Sequence, residues 1–140
     1  MLQKQAHRGP DNSGIFIDAG FAGLGHARLA IIDLTSEANQ PFQDNSDRYS
    51  LVFNGEIYNY VELKNELRST YQFKTSSDTE VLLAAYLHWG KDCLSRLKGM
   101  FSFAIWDRDS KSLFAARDRF GVKPFFYSEE KGTMYFASEI

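Results

Sequence analysis

Cysteine and proline are scarce in this 140-residue chain, which has one cysteine, Cys93, and 3 prolines. A lone thiol excludes an internal disulfide and any cysteine-built zinc site. The 3 histidines, His7, His26 and His88, lie too far apart in sequence for a metal-ligand pattern. Long apolar runs are missing as well. The longest, Val81 to Leu87, falls well short of the ~20 residues that a membrane helix needs. The opening MLQKQAHRGPD has no apolar signal core, so no secretory leader is expected. Charge of one sign is not in excess either: 16 basic residues face 18 acidic ones, a net charge of −2. Neither nucleic acid nor a membrane is therefore an expected partner. These absences together fit a cytoplasmic, reducing compartment.

What is present specifies a folded domain. Hydrophobic residues make up 44% and charged residues 24%, with 12 Phe and 7 Tyr, which rules out disorder. No repeat, low-complexity tract or linker divides the chain, so residues 1–140 read as one domain. Two helices are expected. Asn59 and Glu62 form a capping-box pattern ahead of an apolar stripe, Tyr60, Leu63 and Leu67. Ser77 and Glu80 repeat that signal, and Val81, Leu82, Ala85, Tyr86 and Trp89 line one side until Gly90 stops the helix. A shorter helical piece over 92–97 carries Cys93.

The rest is strand-like: 14–18, 23–32, 49–53, 101–106, 113–117, 125–127 and 134–137, the last four forming two hairpins. Tyr49–Phe53 runs into Asn54-Gly55. In the strand over 101–106, Phe101, Phe103 and Ile105 alternate with Ser102, Ala104 and Trp106, so neither face suits open water. Antiparallel strands covered on both faces imply stacked sheets flanked by helices.

Candidate chemistry is confined to a few positions. No phosphate-cradling glycine motif occurs, and no nucleophile elbow surrounds a serine. Cys93 sits in a helical pattern with no basic neighbour in sequence and reads as a small buried hydrophobe. Asn54-Gly55 is an ordinary turn pair, or else an oxyanion hole built from a side-chain amide and a backbone N–H. Arg28 is a guanidinium in a largely apolar strand, either a structural ion pair or a bidentate clamp on a carboxylate. Asp78, at a helix start, is a cap or dipole partner, or a seat for an ammonium group. Taken as ligands, the three would hold an α-amino acid whose side chain carries a reacting amide. Glutamine fits that description.

Eight segments in order carry a resemblance: His7-Arg8-Gly9-Pro10-Asp11, Gly25–Asp33, Asn39-Gln40-Pro41, Asn54–Asn59, Ser77–Glu80, Gly99–Phe101, Arg117–Pro124 and Ser138–Ile140. On these the chain resembles the class II glutamine amidotransferase domain of glutamine-hydrolysing asparagine synthetases. The resemblance implies an α+β, N-terminal-nucleophile fold, a four-layer α/β/β/α sandwich of antiparallel sheets with its first strand missing. It implies hydrolysis of glutamine, with the ammonia passed to a C-terminal synthetase domain that converts aspartate to asparagine. ATP and magnesium would belong to that domain and no cofactor to this one; a homodimer is compatible. Arg28 would hold the α-carboxylate, with Leu29, Ala30, Ile31 and Ile32 lining the same pocket. Asn54 and Gly55 would form the oxyanion hole, and Glu56 and Asp78 would bind the ammonium end. His7, Arg8, Gly9, Pro10 and Asp11 would brace the nucleophile.

The family's nucleophile is a cysteine exposed by removal of the initiator methionine, and this chain begins Met1-Leu2. The resemblance therefore leaves the first strand, the nucleophile and most of the first helix outside these residues, with Leu2–Ala6 as that helix's tail. The chain alone is expected to be inactive. Ala27, Ala30 and Phe125-Phe126 replace the more usual Arg or Glu, Ser and Leu-Tyr. Two alternatives remain: another class II amidotransferase that modifies a sugar or peptide, or a non-catalytic glutamine-binding module.

Overall fold

The alternation in the strand over 101–106 is resolved by burial on both faces. A computed structural model describes residues 2–29 and 31–140. A 3-10 segment, Leu2–Arg8, precedes strands β1 (Asn12–Asp18), β2 (Ala22–Arg28), β3 (Phe42–Gln43) and β4 (Tyr49–Ile57). Helices α1 (Tyr60–Leu67), α2 (Asp78–Trp89) and α3 (Cys93–Arg96) follow. The chain closes with β5 (Gly99–Asp107), β6 (Ser112–Arg117), β7 (Phe126–Glu130) and β8 (Thr133–Ala137). The main sheet is antiparallel in the order β3-β4-β5-β6, and β1-β2 and β7-β8 are separate hairpins.

Leu51, Phe53 and Ile57 of β4 share a face with Phe101, Phe103 and Ile105 of β5, and α1 and α2 cover it through Leu63, Val81, Leu82 and Leu83. The opposite face offers Val52, Ala104 and Trp106, which pack on Leu24 of β2. Leu24 thus points inward. Its neighbour Gly25 points outward, where a Cβ would lie 3.7 Å from Leu2 of the 3-10 segment. Helices, main sheet, hairpin layer and 3-10 segment give the four expected layers.

Several local expectations are corrected. The strand expected over 23–32 stops at Arg28, because its partner β1 begins at Asn12 and the Arg28 carbonyl accepts the Asp11 N–H at 3.1 Å. The capping box at Asn59 does not form. The Asn59 side chain instead donates to the Arg96 carbonyl at 3.0 Å and accepts from the Lys98 N–H at 2.9 Å, tying α1 to the chain after α3. Ser77 does cap α2, accepting from Thr79 N–H at 3.1 Å. Glu80 turns away to bind Thr75 and Lys74. Helix α2 is buried all round over Asp78–Ala85, not on one side. Finally, Asn54-Gly55 is no turn: β4 continues through it to Ile57.

Candidate active site

The site begins with the hydrogen-bond parity of β4. Even-numbered residues face β5: the Arg108 N–H donates to Arg48 at one end of the pairing and the Tyr58 N–H to Lys98 at the other. Odd-numbered residues face β3, as the Asp44 N–H donating to the Tyr49 carbonyl shows. Strand β3 pairs only with Ser50 and Leu51. From Phe53 onward the odd-numbered peptide groups therefore face a place where none of the described strands runs.

Side chains take up two of these three rungs. Phe53 N–H donates to Gln40 Oε1 at 2.7 Å, and the Phe53 carbonyl meets His26 Nε2 at 3.1 Å. Ile57 N–H donates to Asp78 Oδ2 at 3.0 Å. Between them lies Gly55. Its cross-strand partner Phe101 is committed to Asp118, which accepts the Phe101 N–H at 3.2 Å and donates its own N–H to the Phe101 carbonyl at 2.7 Å. The Gly55 N–H is thus aimed at a cavity of about 490 Å³ lined by Arg28, Asn54, Gly55, Glu56 and Asp78 among others. Gly55 has to be glycine because a Cβ would collide with the Met100 carbonyl and lie 2.7 Å from the Phe101 Cα.

The Asn54 side chain shares this cavity, and its Nδ2 is buried with no hydrogen-bond partner among the described residues. A buried donor without an acceptor costs about 1–3 kcal/mol. Asp78 is the first residue of α2 and is also buried. Burial raises its carboxyl above the ordinary range and the Glu56 charge pushes the same way, opposed by N–H groups of Ile57 and Thr79. Two acidic groups thus face a common space.

Arg28 lies at the other side, wrapped by the loop after β2. Its guanidinium donates to the Thr35 carbonyl at 2.8 Å, to Asn39 Oδ1 at 2.6 Å and to the Asp33 carbonyl. Asp33 fixes that loop to the approach to α2, accepting from Thr35 N–H at 2.9 Å and from Ser76 N–H at 2.9 Å. The Thr35 hydroxyl is the main cause holding the Asp33 carboxyl well below the usual range, against the pull of burial.

Leu29, Ile31 and Ile32 line the cavity with Arg28, whereas Ala30 lies outside the described residues. Of the loop over 7–11, Arg8 reaches the cavity. Gly9 packs so tightly on β2 that a Cβ would strike the Ala27 carbonyl. His7 and Arg8 pair with Glu139 at 3.3 and 3.1 Å, and Asp11 joins β2 through its N–H. Pro10 is exposed. Cys93 is fully buried and its thiol is pushed up to about 11, chiefly by burial, so it is no nucleophile.

Sequence reasoning missed His26 and Gln40 as site builders. A polar residue in a largely apolar strand was the available signal for His26. Burial pushes its ring down to about 4, partly opposed by the Phe53 carbonyl and aided by the Arg28 charge.

The stacked antiparallel layers flanked by helices match the fold of an amidotransferase of the N-terminal-nucleophile type. The solved glutamine phosphoribosylpyrophosphate amidotransferase of Bacillus subtilis, in complex with ADP and GMP, superposes with a TM-score of 0.69 at 30% identity, over 83% of this chain and 27% of that one. Residues 1–140 match the glutamine amidotransferase domain family, and the chain belongs to that family. It is 48% identical to asparagine synthetase [glutamine-hydrolyzing] 1 of Bacillus subtilis, over 99% of this chain and 22% of that protein. A putative asparagine synthetase [glutamine-hydrolyzing] of Mycobacterium tuberculosis is also 48% identical, over 95% of this chain and 22% of its own length. Amidase chyE of Penicillium rubens is 44% identical, over 99% of this chain and 20% of that protein. The chain spans about a fifth of the length of the curated relatives it matches.

Proposed function

We propose that the chain is the glutaminase unit of an asparagine synthetase, hydrolysing glutamine to glutamate and ammonia. The carrying observation is a pair of donors without a partner among the described residues, Gly55 N–H from the strand pairing and Asn54 Nδ2, beside one cavity with Arg28 at one side and Glu56 and Asp78 at the other. When a thiolate attacks the carboxamide carbon, its carbonyl oxygen gains negative charge. Gly55 and Asn54 would receive that oxygen, and preorganised donors of this kind are worth about 3–4 kcal/mol each to a transition state.

Arg28 would hold the α-carboxylate, since a planar guanidinium matches a carboxylate better than an ammonium does. Leu29, Ala30, Ile31 and Ile32 would wall the same end. Glu56 and Asp78 would take the α-ammonium, whose charge relieves their mutual repulsion. The loop of His7, Arg8, Gly9, Pro10 and Asp11 would brace the nucleophile, which the resemblance assigns to a cysteine outside residues 1–140. The whole protein would pass the ammonia to a synthetase domain that uses ATP and magnesium to convert aspartate to asparagine in the cytoplasm. A homodimer is compatible with this reading.

Identity to proteins named amidases keeps a second reading in place, an amidotransferase serving another acceptor. Calorimetry on the chain tests what the two share. L-Glutamine should bind and D-glutamine should not, and Arg28→Lys should weaken L-glutamine at least about tenfold. Absence of any L-glutamine binding by the unaltered chain overturns the glutaminase reading. Assay of the whole protein with ATP, glutamine and aspartate then separates the readings, because only an asparagine synthetase forms asparagine.

A further inference from the structure

His26 lies outside every role assigned so far. It stands two residues before Arg28 on the inward face of β2, and its Nε2 meets the carbonyl of Phe53, the residue before Asn54. A carbonyl only accepts, so Nε2 carries the proton and Nδ1 is a bare acceptor. That Nδ1 is buried and has no partner among the described residues. A residue kept only for packing gains nothing from such a group, since burying an unpaired acceptor is unfavourable. Its position therefore calls for another account.

The account lies in the missing strand. Strands β2 and β4 belong to different sheets, so no backbone ladder sets the distance between Arg28 and Asn54. His26 supplies a direct polar link between them. With Gln40 Oε1 on the Phe53 N–H, the imidazole completes the pairing of both backbone polar groups of Phe53 as a neighbouring strand would. It does so from a side chain, which ends there. A real strand would run on and pair with Gly55.

We propose that His26 is a positioning residue for glutamine: through its Nε2–H it locks the Phe53 carbonyl, so that the Gly55 N–H one rung further stays open and in register with Arg28. The proposal rests on the glutaminase reading for its ligand, but the geometry it asserts concerns the free chain. The test uses the full chain with three replacements at this position. In His26→Gln the Nε2 amide reaches about where the ring Nε2 lies. His26→Asn is one methylene shorter, and His26→Leu has no donor.

The amide resonance of Gly55 is read by NMR, and glutamine affinity by calorimetry. His26→Asn and His26→Leu should displace the Gly55 resonance and weaken glutamine about tenfold, whereas His26→Gln should return the resonance to its place and the affinity to within about twofold. A merely structural histidine would instead give losses that follow melting temperature, with no rescue by Gln over Asn. That pattern, or a Gly55 resonance left unmoved by both His26→Asn and His26→Leu, overturns the proposal. Where His26→Leu fails to fold, the Gln and Asn comparison decides alone. If the unaltered chain ignores glutamine, the glutaminase reading fails, while the Gly55 resonance still decides what His26 does.

Discussion

His26 and Asp78 show how one cavity shifts two groups in opposite directions from the same cause. Burial disfavours the charged form of each, so the imidazole is held down to about 4 while the carboxyl rises. The consequence for His26 has a definite sign. Its pKa lies below the unfolded value of about 6.5, so the unfolded chain binds more protons between those values. Stability is full above about pH 6.5 and falls as pH drops toward 4, by roughly 3 kcal/mol at most. Imidazole 15N shifts recorded from pH 8 to 5 should report one neutral ring with its proton on Nε2. A ring assigned to His26 that titrates near 6.5 in the folded chain would contradict this environment.

At the scale of elements, α2 is the hub, because its first turns supply Asp78 to the site and its sides fill the core. Glu80 is the most demanding residue in it. Its carboxylate is fully buried and accepts Thr75 N–H and Thr75 Oγ at 2.7 Å each and Lys74 N–H at 3.0 Å. Glu80→Ala should cost about 3 kcal/mol by urea denaturation, since three donors lose their acceptor, and Glu80→Gln about half as much. Equal stability of the wild type and the alanine variant would show the loop over 74–76 to be held by something else.

The helices and hairpins were legible in the sequence because they rest on local signals: Ser77 as cap, Gly90 as stop, and alternation along β5. Arg28, Asn54, Gly55 and Asp78 were legible as residue types that suit an amino acid. The open rung was not. It depends on where β3 ends relative to β4, a pairing between distant segments that no local pattern records. The use of Asn59 failed for a similar reason, since a carbonyl brought in by α3 competes with the local cap.

For the whole molecule, acid should be the weak side. Asp107 is held below the usual range chiefly by Arg48, and Asp18 chiefly by Lys111. Asp118 is pulled upward by burial, but N–H groups of Val122, Lys123, Phe101 and Phe120 outweigh this and bring it to about 2. Asp33 joins them. Each binds fewer protons folded than unfolded below the ordinary aspartate value of 3.8, so their contribution is full above that pH and is lost as pH falls through the folded values. Asp78 acts with the opposite sign: its raised pKa makes its ionised form a burden that is relieved as pH falls. Far-UV circular dichroism should show cooperative unfolding below about pH 4, following the earlier decline set by His26. Asp118→Asn should shift that acid midpoint upward, and an unchanged midpoint would remove Asp118 from the account.

The open rung also says how easily such a site could be lost. The register of β3 and β4 places residue 40 opposite Phe53 and residue 38 opposite Gly55 if the pairing were continued. A few more residues of ordinary strand before Phe42 would close the sheet over the Gly55 N–H, with every lining side chain unchanged. Binding capacity here is thus encoded in the length of a neighbour, and a comparison of site residues alone would not reveal its disappearance.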